Sequence, residues 1–202
     1  MARKGFRYFK TFTNDFNRYG YIFMMKHKFE SFETFKFFKN KVENQLGQTI
    51  KALRSNRGGE YLDQEFLDYL SDCGIVTQLT LPGTPQWNGV SERRNRTLLD
   101  MVQSMMSKTD LPISFWGHAL ETVAFILNRA HIKAVEKASY ELWSRRNPKF
   151  IFLRIWGCDV YVKIMFSDKQ TSKSDKCVFV GYSMETKGHY CYKRKELSLI
   201  HI

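Results

Sequence analysis

Two polar side chains, Asn56 and Glu92, stand where a predicted strand ends and a predicted helix begins. Asn56 follows an apolar stretch that predicts a β-strand, and the turn Arg57-Gly58-Gly59 comes directly after it. Glu92 falls in the first turn of a helix predicted from Val90, with 92 − 56 − 1 = 35 residues between the two side chains. Carboxylate and amide oxygens can coordinate Mg²⁺. The pair is therefore a candidate for binding a divalent cation.

Several short segments of the chain carry a family resemblance because they recur in order and at matching separations. They are A-L-R-S-N-R-G-G-E-Y-L, L-P-G-T-P-Q-W-N-G-V-S-E-R-R-N-R-T, W-G-C, K-C-V-F-V-G-Y and K-G-H-Y-C-Y. With them the chain resembles the integrase catalytic core of copia-type retrotransposon Gag-Pol polyproteins, which belongs to the retroviral integrase and RNase H-like superfamily. The resemblance extends from about Phe6 to Lys193.

The resemblance implies DNA integration by two-metal polynucleotidyl transfer, with Mg²⁺ or Mn²⁺ as the cofactor. It implies a catalytic and metal-binding role for Glu92 and for Asn56, which occupies the position of the second Asp of the family. The family's first Asp lies on a strand before the equivalent of Gly5, and the present sequence starts after that point. One of three expected acids is therefore present, so this chain is expected to be catalytically inactive. Asp15 is a weaker candidate for a substitute acid because its surroundings have the composition of a turn.

Basic and aromatic residues around Glu92 are candidates for DNA contacts. The residues in question are Trp87, Arg93, Arg94, Asn95 and Arg96. Three arginines at the positive end of a helix dipole are unfavourable unless an anion lies nearby, and a guanidinium suits a phosphate. The alternatives are that the arginines form a solvated face and that the Trp87 ring packs under its own loop.

The composition of the chain favours an anionic partner. Its net charge is +12 and its sequence pI is about 9.6, which favours sequence-independent binding to nucleic acid. A homo-oligomer is expected from the family. No apolar run reaches the roughly 18–20 residues that span a bilayer, and the four cysteines are scattered. These features predict a nuclear or cytoplasmic protein in a reducing environment. The alternative to an integrase is a non-catalytic nucleic-acid-binding remnant of a transposable element.

Hydrophobic patterning predicts an α/β protein with a mixed sheet flanked by helices, and the resemblance implies that this is the RNase H-like fold. Strands are expected at 7–13, 19–25, 49–55 and 75–79, and helices at 31–46, 63–73, 90–107, 112–129 and 138–143. An aromatic stripe on the first helix is expected to pack into the core against the sheet, on a face formed by Phe32, Phe35, Phe38, Val42 and Leu46. After Pro148 the pattern changes to β, with strands at 154–164, 176–182 and 188–193.

These elements and the resemblance together predict two domains. Residues 1–147 would form the integrase core-like domain, without its first strand, and residues 148–202 a small SH3-like β-rich module. The segment 196–202 departs from the family pattern, so the module is expected to lack its remaining strands.

Overall fold

A computed structural model describes most of the chain, with gaps at several loops. It covers residues 5–55, 58, 63–79, 89–131, 136–163, 173–183, 186, 188–194 and 196–201. The helices are α1 (Ser31–Leu46), α2 (Gln64–Asp72), α3 (Gly89–Ser107), α4 (Trp116–Arg129) and α5 (Ser139–Ser144). The strands are β1 (Tyr8–Thr13), β2 (Gly20–Met25), β3 (Ala52–Ser55), β4 (Val76–Leu79), β5 (Asp159–Lys163), β6 (Ser174–Tyr182), β7 (His189–Lys193) and β8 (Ser198–His201).

The chain divides into two compact units that interleave along the sequence. The amino-proximal unit contains Gly5–Phe12 and Ile22–Arg96, and the carboxyl-proximal unit contains Thr13–Tyr21 and Thr97–Ile202. This division follows contacts in space, so it does not test the predicted boundary between residues 147 and 148, which stays a prediction.

The strands expected at 7–13 and 19–25 are present as β1 and β2, and they form a hairpin. The N–H of Arg7 donates to the carbonyl of Met25 at 3.0 Å, and the N–H of Asn14 donates to the carbonyl of Tyr19 at 2.9 Å. The first bond joins the open end of the hairpin and the second joins the residues beside its turn, which is the pairing of antiparallel strands. In the turn, Asn14 Oδ1 accepts from the N–H groups of Phe16 and of the following residue, each at 3.0 Å. A side chain that bonds its own turn in this way explains why an Asn suits that position.

Aromatic side chains of α1 form the core of the amino-proximal unit. Phe35 is fully buried and packs on Phe66, with ring centroids 5.2 Å apart. Phe38 stacks on Phe12 of β1 at 4.2 Å. The helix ends at Gly47, where φ is 64°, a left-handed conformation that glycine adopts without a steric cost. The predicted aromatic stripe is therefore confirmed as core packing, except that Leu46 is 37% exposed.

Strands β3 and β4 pair in parallel within the same unit, with Ala52 opposite Val76 and Ser55 opposite Leu79. Both strands end at one edge, so Ser55 lies at the carboxyl edge of this sheet, directly before Asn56. Asp63 caps α2 by accepting from the N–H of Glu65 at 3.2 Å, which explains the start of that helix. The structure gives β3 four residues, fewer than the seven predicted from the apolar run.

The side chain of Glu43 ties the end of α1 to the segment before β3. One carboxylate oxygen accepts from Lys39 Nζ at 2.8 Å and the other from the N–H of Ile50 at 2.9 Å. Burial alone would raise the pKa of Glu43, but the bonds from Lys39 and Ile50 outweigh it, so the pKa falls below its ordinary value of 4.5. The pKa of Lys39 rises in turn because of its bond to Glu43.

We expect Glu43→Gln to lower the free energy of unfolding by about 1–2 kcal/mol at pH 7, since it removes a charge-assisted pair and weakens the bond to Ile50. A group with a depressed pKa stabilises the fold above its unfolded pKa, and that contribution is lost as the pH falls below about 4.5. Urea unfolding at pH 7 and pH 3.5 measures both effects. Glu33→Gln on the same helix removes an exposed ion pair to Lys36 and should cost less than about 0.5 kcal/mol. Equal losses for the two variants would contradict the assignment.

Helix α4 forms the core of the carboxyl-proximal unit. The amide of Asn128 accepts from the N–H of Gly20 at 3.0 Å and donates to its carbonyl at 2.8 Å. Phe125 stacks on Tyr182 of β6, with centroids 4.3 Å apart. Tyr19, just before β2, stacks on Trp143 of α5 at 5.0 Å. The helix therefore holds the hairpin residues through one side-chain amide and the β-rich module through aromatic rings.

Strands β5, β6, β7 and β8 form an antiparallel sheet in that order. The strand β8 was not expected from the sequence: residues Ser198–His201 pair with Lys193–Tyr190 of β7. The expectation that no strand follows Lys193 is therefore wrong, whereas the incompleteness of the module stays a prediction. The segment is short and only half buried, so its period-2 signal is weak, and pairing with β7 rather than local sequence defines it.

The cysteines are free in this structure, and Cys177 and Cys191 are buried. Desolvation by burial raises the pKa of Cys191 to about 11. A thiol with such a pKa stays protonated at neutral pH and is a poor nucleophile, so Cys191 acts as a small apolar core residue.

Candidate active site and nucleic-acid interface

Glu92 lies in the first turn of α3, as predicted, and its side chain is exposed. Within the part of the chain that the structure describes, its carboxylate has no hydrogen-bond or ion-pair partner. Such a carboxylate remains available to a cation.

A hydrogen bond fixes the start of α3 to β1, next to Glu92. Thr11 Oγ1 donates to Asn95 Oδ1 at 2.7 Å, and both residues belong to the amino-proximal unit. Asn95 comes three residues after Glu92, so the bond restrains the helical turn that carries the carboxylate. Sequence reasoning assigned Asn95 to DNA contacts and missed Thr11. The alternating pattern of β1 predicts which face of the strand Thr11 occupies, but no local sequence pattern predicts a hydrogen-bond partner 84 residues away.

Three arginines follow Glu92 within the first two turns of α3. Arg93 and Arg96 are exposed and Arg94 is partly buried. Arg93 Nε donates to the carbonyl of Gly89 at 2.9 Å, which holds its guanidinium against the beginning of the helix. Together with Glu92 these residues give the first two turns of α3 a net charge of +2. That charge adds to the positive end of the helix dipole, an arrangement that attracts phosphate groups.

Two of the predicted site residues, Asn56 and Trp87, lie outside the described residues. Their predicted roles in metal and DNA binding stay predictions. The same is true of the metal pair formed by Asn56 and Glu92. Among the residues that the structure describes, no group of three or more His, Cys, Asp or Glu side chains could hold a metal ion. Asp15 lies in the hairpin turn, as expected, 3.6 Å from a guanidinium nitrogen of Arg18.

No described helix of the chain is long and apolar enough to cross a membrane.

Comparisons with known proteins found similarities both for the β-rich module and for nearly the whole chain. A family model described as "Retroviral polymerase SH3-like domain" matches residues 158–201, which include all of β5 to β8. The chain is 36% identical over 189 residues to the retrovirus-related Pol polyprotein from transposon TNT 1-94 of Nicotiana tabacum, a match that covers 92% of the chain. It is also 31% identical over 194 residues, or 95% of the chain, to the Pol polyprotein from transposon RE2 of Arabidopsis thaliana. The chain belongs to the copia-type transposon Pol family.

This Pol segment is short relative to the polyproteins that it matches. It spans 14% of the tobacco protein and 13% of the Arabidopsis protein. The predicted SH3-like module at 148–202 contains the matched residues 158–201, and the match extends through β8.

Solved structures resemble the Pol segment in fold. One is a simian T-cell lymphotropic virus intasome in complex with PP2A regulatory subunit B56 gamma, with a TM-score of 0.55 and 17% identity over 96% of this chain and 69% of that chain. Another is the HTLV-2 integrase catalytic core domain in complex with magnesium, in a trimeric form, with a TM-score of 0.48 and 17% identity over 67% of this chain and 91% of that chain. The fold of the first confirms the predicted integrase-like α/β class.

Proposed function

We propose that this chain is the integrase segment of a copia-type transposon Pol polyprotein, and that it binds DNA phosphates at the start of α3. The observation that carries the proposal is the composition of that turn. It presents the carboxylate of Glu92, which has no partner among the residues that the structure describes, and three arginines at the positive end of a helix, in a chain 36% identical to a transposon Pol polyprotein. Phosphate contacts of this type are independent of base sequence.

The proposed chemistry is polynucleotidyl transfer assisted by Mg²⁺ or Mn²⁺. The exposed carboxylate of Glu92 suits a hard divalent cation, and the amide oxygen of Asn56 would be a second, weaker ligand. A bound pair of cations would supply electrostatic stabilisation to the attacking and leaving oxygens of the phosphodiester. The residues of this chain would orient the DNA: the arginines hold phosphates, and the Thr11–Asn95 bond keeps the turn that carries Glu92 in place.

The replacement of an acid by Asn56 leads us to propose that residues 1–202 alone bind DNA without joining it. The second candidate function, which the same substitution favours, is a non-catalytic nucleic-acid-binding remnant of a transposable element.

We also propose a homo-oligomer, as the solved viral integrases form an intasome and a trimeric form, and a nuclear or cytoplasmic location.

The salt dependence of DNA binding tests the interface. Replacing Arg93, Arg94 and Arg96 together by Ala should flatten the slope of log K against log salt by about two to three units, since each phosphate contact contributes about 0.9. Fluorescence anisotropy with a 30-bp duplex between 50 and 300 mM NaCl measures the slope. The matched control removes three exposed cations elsewhere, at Lys108, Arg146 and Lys149, and should change the slope by less than about one unit. Equal changes of slope in both triple variants would show that DNA binding depends on the overall positive charge of the chain and not on the arginines of α3.

A further inference from the structure

A second basic surface lies in the amino-proximal unit, on residues that the proposed function does not use. It is formed where β1 begins and where the chain leaves β2 for α1. We name it the loop patch, and it consists of Arg7, Tyr8, Lys26, His27, Lys28 and Phe29. All six residues are exposed. The N–H of Arg7 donates to the carbonyl of Met25 at 3.0 Å, so the two segments lie side by side.

Aromatic rings and cations alternate within the loop patch. The ammonium of Lys28 lies 5.6 Å from the centre of the Tyr8 ring, and the rings of His27 and Phe29 stack at 5.1 Å with an interplanar angle of 9°. Phe29 is 79% exposed although it is a large apolar side chain. A stacked aromatic pair that points its remaining surface to solvent provides a flat face for another ring.

The loop that carries these side chains is held in one conformation by Glu30. Its two carboxylate oxygens accept from the N–H groups of Lys26 and His27, at 3.1 and 3.2 Å. The acid is thus engaged with the backbone and is less exposed than the four loop-patch residues that precede it. The three cations of the loop patch, Arg7, Lys26 and Lys28, outnumber this single acid, so the surface is positive.

We propose that the loop patch binds single-stranded nucleic acid, with its cations on the phosphates and with the Phe29 and Tyr8 rings stacked on unpaired bases. Exposed rings interleaved with cations are the combination that single strands require, because every unpaired base offers a stacking face and the backbone offers charge. Duplex DNA keeps its bases stacked internally and offers only phosphates to such a surface. Two copies of this chain that met through their loop patches would place positive charge against positive charge, which opposes a symmetric contact at this surface.

The proposal goes beyond the DNA contacts of α3, and its test leaves the arginines of α3 intact. The probe is a fluorescein-labelled 20-nucleotide oligothymidylate, with a 20-bp duplex as the second probe and the whole 202-residue chain as the protein. Phe29→Ala should weaken oligothymidylate binding about 5- to 20-fold and duplex binding less than about twofold. Phe29→Trp, which keeps a stacking ring, should bind oligothymidylate about as well as the unaltered chain.

Phe16→Ala is the matched control, because Phe16 is a similarly exposed phenylalanine, at 84%, in the hairpin turn. It should leave binding of both probes within about twofold. The proposal is overturned if Phe29→Ala weakens duplex and single strand equally, if Phe16→Ala has the same effect, or if the unaltered chain does not bind oligothymidylate at 50 mM salt. A loss of self-association in Phe29→Ala with unchanged oligothymidylate binding would assign the loop patch to a second copy and would also overturn the proposal. Failure of the α3 arginine test would leave this result unaffected.

Discussion

Asn56→Asp should raise Mg²⁺-dependent DNA nicking and joining by at least about 100-fold when the chain also carries, before Gly5, the Asp-bearing strand of a transposon relative. In residues 1–202 alone, the same substitution should produce no activity. Two carboxylates, at residue 56 and at Glu92, would supply too few ligands and too little negative charge to hold two divalent cations. A third acid supplies the missing ligand, and each cation contributes several kcal/mol to the stabilisation of the transition state. Every 1.4 kcal/mol or so corresponds to a tenfold change in rate.

A labelled oligonucleotide that matches the end of the element measures the reaction with Mg²⁺ and with Mn²⁺. Glu92→Gln in the extended Asn56→Asp chain should abolish the activity, because an amide replaces the carboxylate at the start of α3. Asn95→Asp is the matched control for an added acid. Its carboxylate can still accept from Thr11, and it should not replace the acid at residue 56. Joining by unaltered residues 1–202 that depends on Glu92 would overturn the proposal, and Asp15 would become the first substitute acid to test.

Phe35→Ala should lower the free energy of unfolding by about 3–5 kcal/mol, which is enough to unfold a marginally stable domain. Phe35 is fully buried, and its ring contacts those of Phe12 and Phe66 at centroid distances of 5.9 and 5.2 Å. Its loss leaves a cavity at the junction of α1, α2 and β1. Urea denaturation followed by circular dichroism measures the change.

Phe37→Ala on the same helix is the control for this substitution. Phe37 is 60% exposed, although its ring meets that of Phe23 at 5.8 Å, so its removal should cost less than about 1 kcal/mol. A comparable loss from Phe35→Ala and Phe37→Ala would show that the aromatic stripe of α1 is not the core of the amino-proximal unit.

Helices of this chain were predictable from the sequence because the residues that start and end them lie next to the helices themselves. Gly47 ends α1 and Asp63 caps α2, and each acts within a few residues of its own position. The arginines and Glu92 also fall on the predicted turn of α3. Leu46 was misplaced because the apolar period was continued one turn past the region where α1 meets its core.

Contacts between distant segments were not predictable in the same way. Strand β8 exists through its pairing with β7, and the Thr11–Asn95 bond joins residues 84 positions apart. Neither leaves a periodic pattern in the sequence. The candidate site was therefore predictable in its chemistry, from Glu92 and its arginines. The side chain that restrains it could be found only from the fold.

The double hydrogen bond between Asn128 and Gly20 makes one backbone amide a reporter of motion in the carboxyl-proximal unit. Gly20 is buried, and its N–H is bonded to a side chain of α4. Deuterium can replace that hydrogen only when helix and hairpin separate. The exchange rate of Gly20 therefore measures how often this unit opens. An increase in that rate at unchanged global stability would identify the hairpin as a part of the molecule that opens by itself.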